Sequence, residues 1–303
     1  MKIIDAHAHV VQYIAGTGSQ GELRACGNGE AIYASGHRFK MIPDGMGEYG
    51  VTPEKLLEVM DANNVEKAVL LQGNYFGFQN LYTYDAVKKY PERFIGAATF
   101  DPFSKNKKKI LHHLFEELAF KIIKMEMSTG SGLMCNHETL PLDGEVMEEV
   151  YAYANEKQLV FVIDIGKMGS ESSQIEALRR AILRYPKMKF VVCHLLAPNL
   201  DSEEELIKGL ERLRLPNVWF DLAALPNNCK PEVYPYPTAR HYVELACELV
   251  GAERLLFGSD IPSTLVADSY EHYIGYILES TKISDEEKAM IFYHNAQKVF
   301  FEE

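Results

Sequence analysis

Short β-branched runs alternate with longer amphipathic stretches along the whole chain, and no other feature narrows its fold as much. The runs are 2–9 (KIIDAHAH), 67–72 (KAVLLQ), 93–100 (RFIGAATF), 120–127 (FKIIKMEM), 159–165 (LVFVIDI), 189–196 (KFVVCHLL), 217–225 (NVWFDLAAL) and 254–260 (RLLFGSD). A stretch of helical character follows each one. Strand–helix alternation makes the strands parallel, and eight such units predict an α/β fold closed into a (β/α)8 TIM barrel. A barrel of this kind takes about 250 residues, and the chain has 303. The surplus lies in residues 11–50, which are glycine-rich and lack a clean period, and in a second long stretch, PNNCKPEVYPYPT. Both follow strands, so both are expected at the mouth formed by the C-terminal strand ends, where barrel enzymes carry their sites. No domain boundary, repeat or low-complexity tract interrupts the chain. Residues 1–303 therefore read as a single barrel domain with an irregular mouth insertion at 11–50.

Helix signals support the alternation. Thr52-Pro53 opens the first helix, with proline in the first turn. Ser202 with Glu205, and Ser284 with Glu287, have capping-box spacing. Ala289, Phe292, Ala296 and Val299 fall on one stripe of the last helix.

Composition excludes several functions. The net charge is −12, and no basic patch interleaved with aromatics stands out, which argues against nucleic acid and anionic membrane as partners. No apolar run approaches the roughly 18 residues of a membrane span. The apolar stretch at the start is short and runs into histidines, unlike a secretory signal. Five scattered cysteines without a CxxC pair read as reduced thiols of a cytoplasmic protein. A small-molecule substrate is the expected partner, and a homodimer is the prior for any assembly.

Alternate side chains of a strand share a face. Ile3, Asp5, His7 and His9 are thus expected on one face of the first strand, turned into the barrel. Lys124 and Glu126 end the fourth run, Asp164 follows Val160 and Val162, His194 follows Val192, and Asp260 follows Leu256 and Gly258. Five runs place an ionisable residue at one rim. A buried, unpaired carboxylate or imidazole costs several kcal/mol, and a divalent cation offsets that cost while fixing the geometry. Neutral imidazoles with carboxylates suit zinc first, with manganese or iron as alternatives. His-x-His offers two ligands from one rigid strand. The first and last strands are neighbours in a closed barrel, so His7, His9 and Asp260 can meet, and Glu126, Asp164 and His194 complete the candidate ligands. Asp5 reads as a support for a ligand, and Asp221 as a weaker candidate. The bland alternatives are hydrogen-bonded core histidines and a helix-capping Asp260. His112, His113, His241, His272 and His294 read as surface or packing residues. His37, His137, Arg24, Arg38 and Arg240 fall in or beside mouth loops, and the tyrosine-rich loops NYFGFQNLYTY and PEVYPYP either wall a substrate or pack the rim.

DAHAHV, VVCHLLAP, LLFGSDIP and IFYHNAQKVF, in that order, resemble the amidohydrolase superfamily. Within it they are most similar to the amidohydrolase-related branch that includes aminocarboxymuconate-semialdehyde decarboxylase. The resemblance implies a barrel, one or two metals, and hydrolysis or non-oxidative decarboxylation. It implies that His7 and His9 bind metal, that Asp260 binds metal and shuttles a proton, and that His194 binds a second metal or holds substrate or water. The family usually has a histidine ligand where this chain has Asp164, which bears on the metal's identity. Lys124 falls where some members carry a carboxylated, metal-bridging lysine; as an ammonium it would pair with Glu126 or Asp164.

The leading expectation is a metal-dependent hydrolase that activates water against an amide, lactone or ester. Asp260 would accept the proton and His194 stabilise the oxyanion, with Asp164 a further catalytic candidate. A non-oxidative decarboxylase shares these motifs but would need a cation in the mouth to grip a carboxylate. A metal-free barrel that only binds a ligand is the third reading, suggested by Asp164.

Overall fold

The computed structural model describes residues 1–302. All eight runs form strands, interrupted once by a small second sheet. In chain order the strands are β1 (Ile3–Ala8), β2 (Ala15–Gly18), β3 (Gly21–Gly27), β4 (Glu30–Tyr33), β5 (Arg38–Lys40), β6 (Val65–Leu70), β7 (Phe94–Ala98), β8 (Ile122–Glu126), β9 (Val160–Asp164), β10 (Phe190–Val192), β11 (Val218–Asp221) and β12 (Leu255–Leu256). The parallel sheet runs β1-β6-β7-β8-β9-β10-β11-β12. Its ends join through the backbone: Ala6 N–H donates to Phe257 O (2.8 Å), Asp260 N–H to His7 O (2.8 Å) and His9 N–H to Ile261 O (2.9 Å). The fold is the expected TIM barrel. Most strands stop short of their apolar runs, because the run ends bend into the mouth.

The barrel interior is packed by Ile4, Ala6, Val69, Leu71, Val162, Val191 and Leu256, and its floor by Ala296, Val299 and Phe300 of the last helix. Ile3 and Val192 pack instead in the layer between strands and helices. The expected common face of β1 is therefore wrong by one residue at its start. A bulge corrects it: between Asp5 and Ala8, β1 spends one residue more than β6 does between Ala68 and Leu70. Past this extra residue the parity reverses, and His7 and His9 turn inward. Strand 189–196 differs too. Val191 and Cys193 face inward, and His194 reaches the mouth because residues 194–197 all have positive φ.

The insertion is not an irregular loop. β2, β3, β4 and β5 form an antiparallel sheet over its own apolar cluster, which includes Ile14, Leu23, Ala31 and Ile42. Its strands are too short to show a period, and its glycines serve turns. Asn28 and Gly29 both have positive φ (54° and 69°), as a two-residue hairpin between β3 and β4 requires. Val11 and Val51 exchange both backbone hydrogen bonds at its base (2.9 and 2.7 Å). The sheet lies over the mouth, with Thr17 N–H donating to Asn74 O (3.0 Å) and Ser19 N–H to Gly130 O (2.8 Å).

Two of the expected caps form. Thr52 accepts from Lys55 N–H at the start of helix Pro53–Ala62, and Ser284 with Glu287 makes a full capping box. Ser202 does not cap its helix, because its hydroxyl accepts from Asn199 N–H instead (3.1 Å). The stripe on the last helix divides between layers: Phe292 packs on Phe257 in the outer layer, while Ala296 and Val299 close the floor. Among the described residues, no helix is long and apolar enough to cross a membrane.

Candidate active site

At the mouth, His7, His9, Gln72, Tyr75, Phe76, Lys124, Glu126, Ser131, Asp164, His194, Asp260 and Ser263 line a cavity of about 180 Å³. The tautomers of its histidines follow from their partners. His9 Nδ1 lies 2.8 Å from the Leu71 carbonyl, so that nitrogen carries the proton and Nε2 presents its lone pair. His9 Nε2 lies 2.9 Å from Asp260 Oδ1. Two lone pairs cannot share that distance without a cation or a proton between them. His7 repeats the logic: Nδ1 faces Asp221 Oδ2 at 3.0 Å, and Nε2 stands 3.7 Å from the same Asp260 oxygen. Burial pushes the His7 pKa down to about 4 against the pull of Asp221, so the ring is neutral with Nε2 free. Burial alone would raise the Asp260 pKa, but the surrounding His9, His7 and His194 rings outweigh it and hold the group near 2.

His7, His9 and Asp260 thus bring three donor atoms within 4.8 Å of one another, from β1, the residue just past its end and the turn after β12. Neutral imidazoles oriented by an acceptor on the far nitrogen, beside an ionised carboxylate, are the donor set that a divalent cation takes. Asp221 also falls in a compact group with His7 and His194, but its oxygens are engaged. Oδ2 accepts from His7 Nδ1, and Oδ1 accepts from the backbone N–H of His194 (2.8 Å) and of Ala223 (3.1 Å). It orients two histidines at once. Asp5, wholly buried, accepts from His7 N–H, Ser259 N–H, Ser259 Oγ and Tyr270 Oη. It ties β1 to the turn that carries Asp260.

The opposite wall is β8 and β9, where Glu126 and Asp164 sit side by side in register. Burial and the neighbouring Asp164 raise the Glu126 pKa to about 7, although Lys124, Ser131 and Tyr75 N–H pull it back. Asp164 Oδ1 accepts from Gly166 N–H (2.7 Å), and Oδ2 stands 3.9 Å from His194 Nε2. His194 Nδ1 is held by the Ala223 carbonyl at 2.9 Å. Burial opposes charge on His194, but Asp164, Asp221 and Asp260 outweigh it and raise its pKa.

A family model described as amidohydrolase matches residues 4–301. The chain belongs to the amidohydrolase family. No curated protein matches the sequence. Solved structures do match in fold. A probable 2-pyrone-4,6-dicarboxylic acid hydrolase from Acinetobacter baumannii, with citric acid bound, shares 15% identity over all of both chains with a TM-score of 0.70. An amidohydrolase from Burkholderia multivorans with bound zinc shares 15% identity over 99% of each chain with a TM-score of 0.72. A 5-carboxyvanillate decarboxylase from Sphingomonas paucimobilis shares 16% identity over 81% of each chain with a TM-score of 0.58.

In this amidohydrolase the six candidate residues, His7, His9, Glu126, Asp164, His194 and Asp260, all line one cavity. Glu126 and Asp164 stand outside the compact ligand group of His7, His9 and Asp260. Asp221, ranked low in the sequence, is central to the histidine geometry. The signal was available, since Asp221 falls two residues after Trp219, whose side chain faces the interior. Tyr75 and Phe76 line the cavity, whereas Tyr236 packs against Tyr273 and Tyr276 at the rim. Two of the mouth arginines are engaged elsewhere: Arg38 contacts Glu30 and Cys26, and Arg240 contacts Glu279. His137 pairs with Asp101, and His272 with Asp268.

Proposed function

We propose that this amidohydrolase is a metal-dependent hydrolase of a small amide, lactone or ester. One observation carries the reading. His9 Nε2 and Asp260 Oδ1 face each other at 2.9 Å with His7 Nε2 beside them, an arrangement that a shared cation would satisfy. His7, His9 and Asp260 would hold the metal, with zinc favoured by the neutral imidazoles and by the zinc in the Burkholderia multivorans relative. When bound, a divalent cation supplies the positive charge that acidifies water and polarises a carbonyl.

The chain's own groups supply the rest. Asp260, kept ionised by its histidine neighbours, accepts the proton of the attacking water. His194, whose pKa the surrounding carboxylates raise against burial, is placed to donate from Nε2 to the oxygen on which charge develops. Its Nδ1 is anchored on Ala223 O, so the ring stays aimed into the cavity as that charge grows. Glu126, near neutral in its ionisation, is placed to return a proton to the leaving group. At about 180 Å³ the cavity suits a small substrate.

Decarboxylation is the second reading, because Lys124 lines the cavity and could grip a carboxylate. Glu126 and Asp164 flank that lysine and repel a second carboxylate, which favours hydrolysis. A panel of small lactones, esters, amides and aromatic acids, assayed with the zinc-loaded protein in heavy-oxygen water, separates the two. Hydrolysis places heavy oxygen in the product acid. Carbon dioxide release without such incorporation would replace this reading with the lyase. Protein that holds less than about half an equivalent of metal after zinc addition would overturn both.

A further inference from the structure

Lys124 and Cys193 meet inside the barrel, and the proposed reaction has no use for the thiol. Lys124 Nζ lies 3.0 Å from Cys193 Sγ, and the two residues are only 3% and 2% exposed. Lys124 sits on β8 and Cys193 directly after β10, with β9 between them. Two carboxylates stand nearby on the same wall, yet the ammonium contacts sulfur, a weak acceptor. No other cysteine among the described residues has a lysine hydrogen-bonded to it; Cys26 accepts from the Arg38 guanidinium instead.

We infer that Lys124 Nζ and Cys193 Sγ are the site of a reversible, oxidatively formed N–O–S cross-link in the cavity wall. The oxidant is a peroxide, small enough to enter the cavity that Lys124 lines. One peroxide converts the Cys193 thiol to a sulfenic acid: the S–O bond forms, the O–O bond breaks and water leaves. A second peroxide converts the Lys124 amine, after loss of its extra proton, to a hydroxylamine with release of another water. The hydroxylamine oxygen then attacks the sulfenic sulfur, and the sulfenic hydroxyl departs with the hydroxylamine proton as a third water. Sulfur and nitrogen each lose two electrons, and the two peroxides accept all four. Four electrons and four protons from a dithiol reductant restore the amine and the thiol and release one water.

Geometry favours the inserted oxygen over a direct sulfur–nitrogen bond. That bond, shorter than the ~2 Å of a disulfide, would draw two strands together across β9, and both are fixed to β9 by parallel ladders. One bridging oxygen fits the existing gap with little movement. The cross-link also removes the charge of Lys124 beside Glu126 and Asp164, so it alters the same cavity. The inference stands whether or not the hydrolase reading holds.

The test treats the full-length protein with hydrogen peroxide and maps it by peptide mass spectrometry without reductant. The expected species is heavier by one oxygen and lighter by two hydrogens. It joins the Lys124 and Cys193 peptides, resists trypsin after Lys124, and reverts with dithiothreitol. Lys124→Arg and Cys193→Ser each abolish it, whereas Cys26→Ser and Cys135→Ser leave it unchanged. Cys193 found only unmodified or as unlinked sulfenic, sulfinic or sulfonic acid overturns the inference, as does a link that has lost two hydrogens and gained no oxygen. Should the Lys124 and Cys193 variants fail to fold, the wild-type map decides alone.

Discussion

Asp221 Oδ2 lies 3.0 Å from His7 Nδ1 at the wholly buried end of β11, and this contact decides which His7 nitrogen faces the cavity. The carboxylate is held in its ionised form: burial opposes it, but His7, His194 and the His194 backbone N–H outweigh burial and lower its pKa. An amide cannot replace it. In Asp221→Asn, if the amide oxygen serves the His194 and Ala223 N–H groups, the amide nitrogen faces His7 Nδ1. It then drives the His7 proton to Nε2, the nitrogen that should bind metal. Zinc affinity should fall by about 10- to 100-fold, measured by competition with a chromogenic chelator. An affinity within about twofold of wild type would mean that His7 does not need this orientation.

Gly258 tests the same site from below. A Cβ there would stand 2.9 Å from His7 Cβ and 3.1 Å from Ala223 Cβ, and both neighbours are fixed by the backbone. Gly258→Ala should cost about 1–3 kcal/mol of stability and weaken zinc binding by displacing His7. Gly130→Ala is the control, with nothing within 4 Å of the new atom. It should stay within about 0.5 kcal/mol of wild type in urea melts.

These relationships mark how far the sequence could be read. Eight strands were legible because a β-branched run bounded by helical periodicity is a local signal. Asp164 was placed correctly because Val160 and Val162 continue its alternation without a break. His7 and His9 were placed correctly for a partly wrong reason, since the bulge between Asp5 and Ala8 depends on pairing with β6. His194 needed a run of left-handed residues, 194–197, that no propensity announces. The role of Asp221 exists only once β11 stands across from β1. The insertion hid its sheet because strands of three to seven residues show no period, although Asn28-Gly29 was a hairpin signal within reach.

Glu126 contributes to the pH dependence of the metal-free protein's stability. Its pKa is about 7 in the folded chain against an ordinary 4.5, so the folded state holds this proton more tightly than the unfolded state. Protonated Glu126 is therefore favourable at low pH, and the advantage is lost as pH rises from about 4.5 to about 7. Glu126→Gln removes the titration while keeping an oxygen for Ser131 Oγ. The stability of wild type relative to this variant should fall across that window by up to about 3 kcal/mol, read from urea melts at several pH values. A flat difference would assign Glu126 an ordinary pKa.

Asn295 explains the asparagine in the terminal NAQKVF segment. It is buried, and its Nδ2 donates to Ala252 O and to Leu255 O, both at 2.8 Å. One amide thus anchors the last helix to the start of β12, and that helix brings Ala296, Val299 and Phe300 to the barrel floor. In Asn295→Leu both carbonyls lose their donor in a space that excludes water, at about 1–3 kcal/mol each. The melting temperature should drop clearly, because β12 has only two residues and depends on this brace. Zinc affinity measured well below the melt should change little, since the floor lies at the opposite end of the barrel from His7 and His9. A loss of zinc affinity equal to that of Asp221→Asn would show instead that the floor and the mouth are coupled through β12.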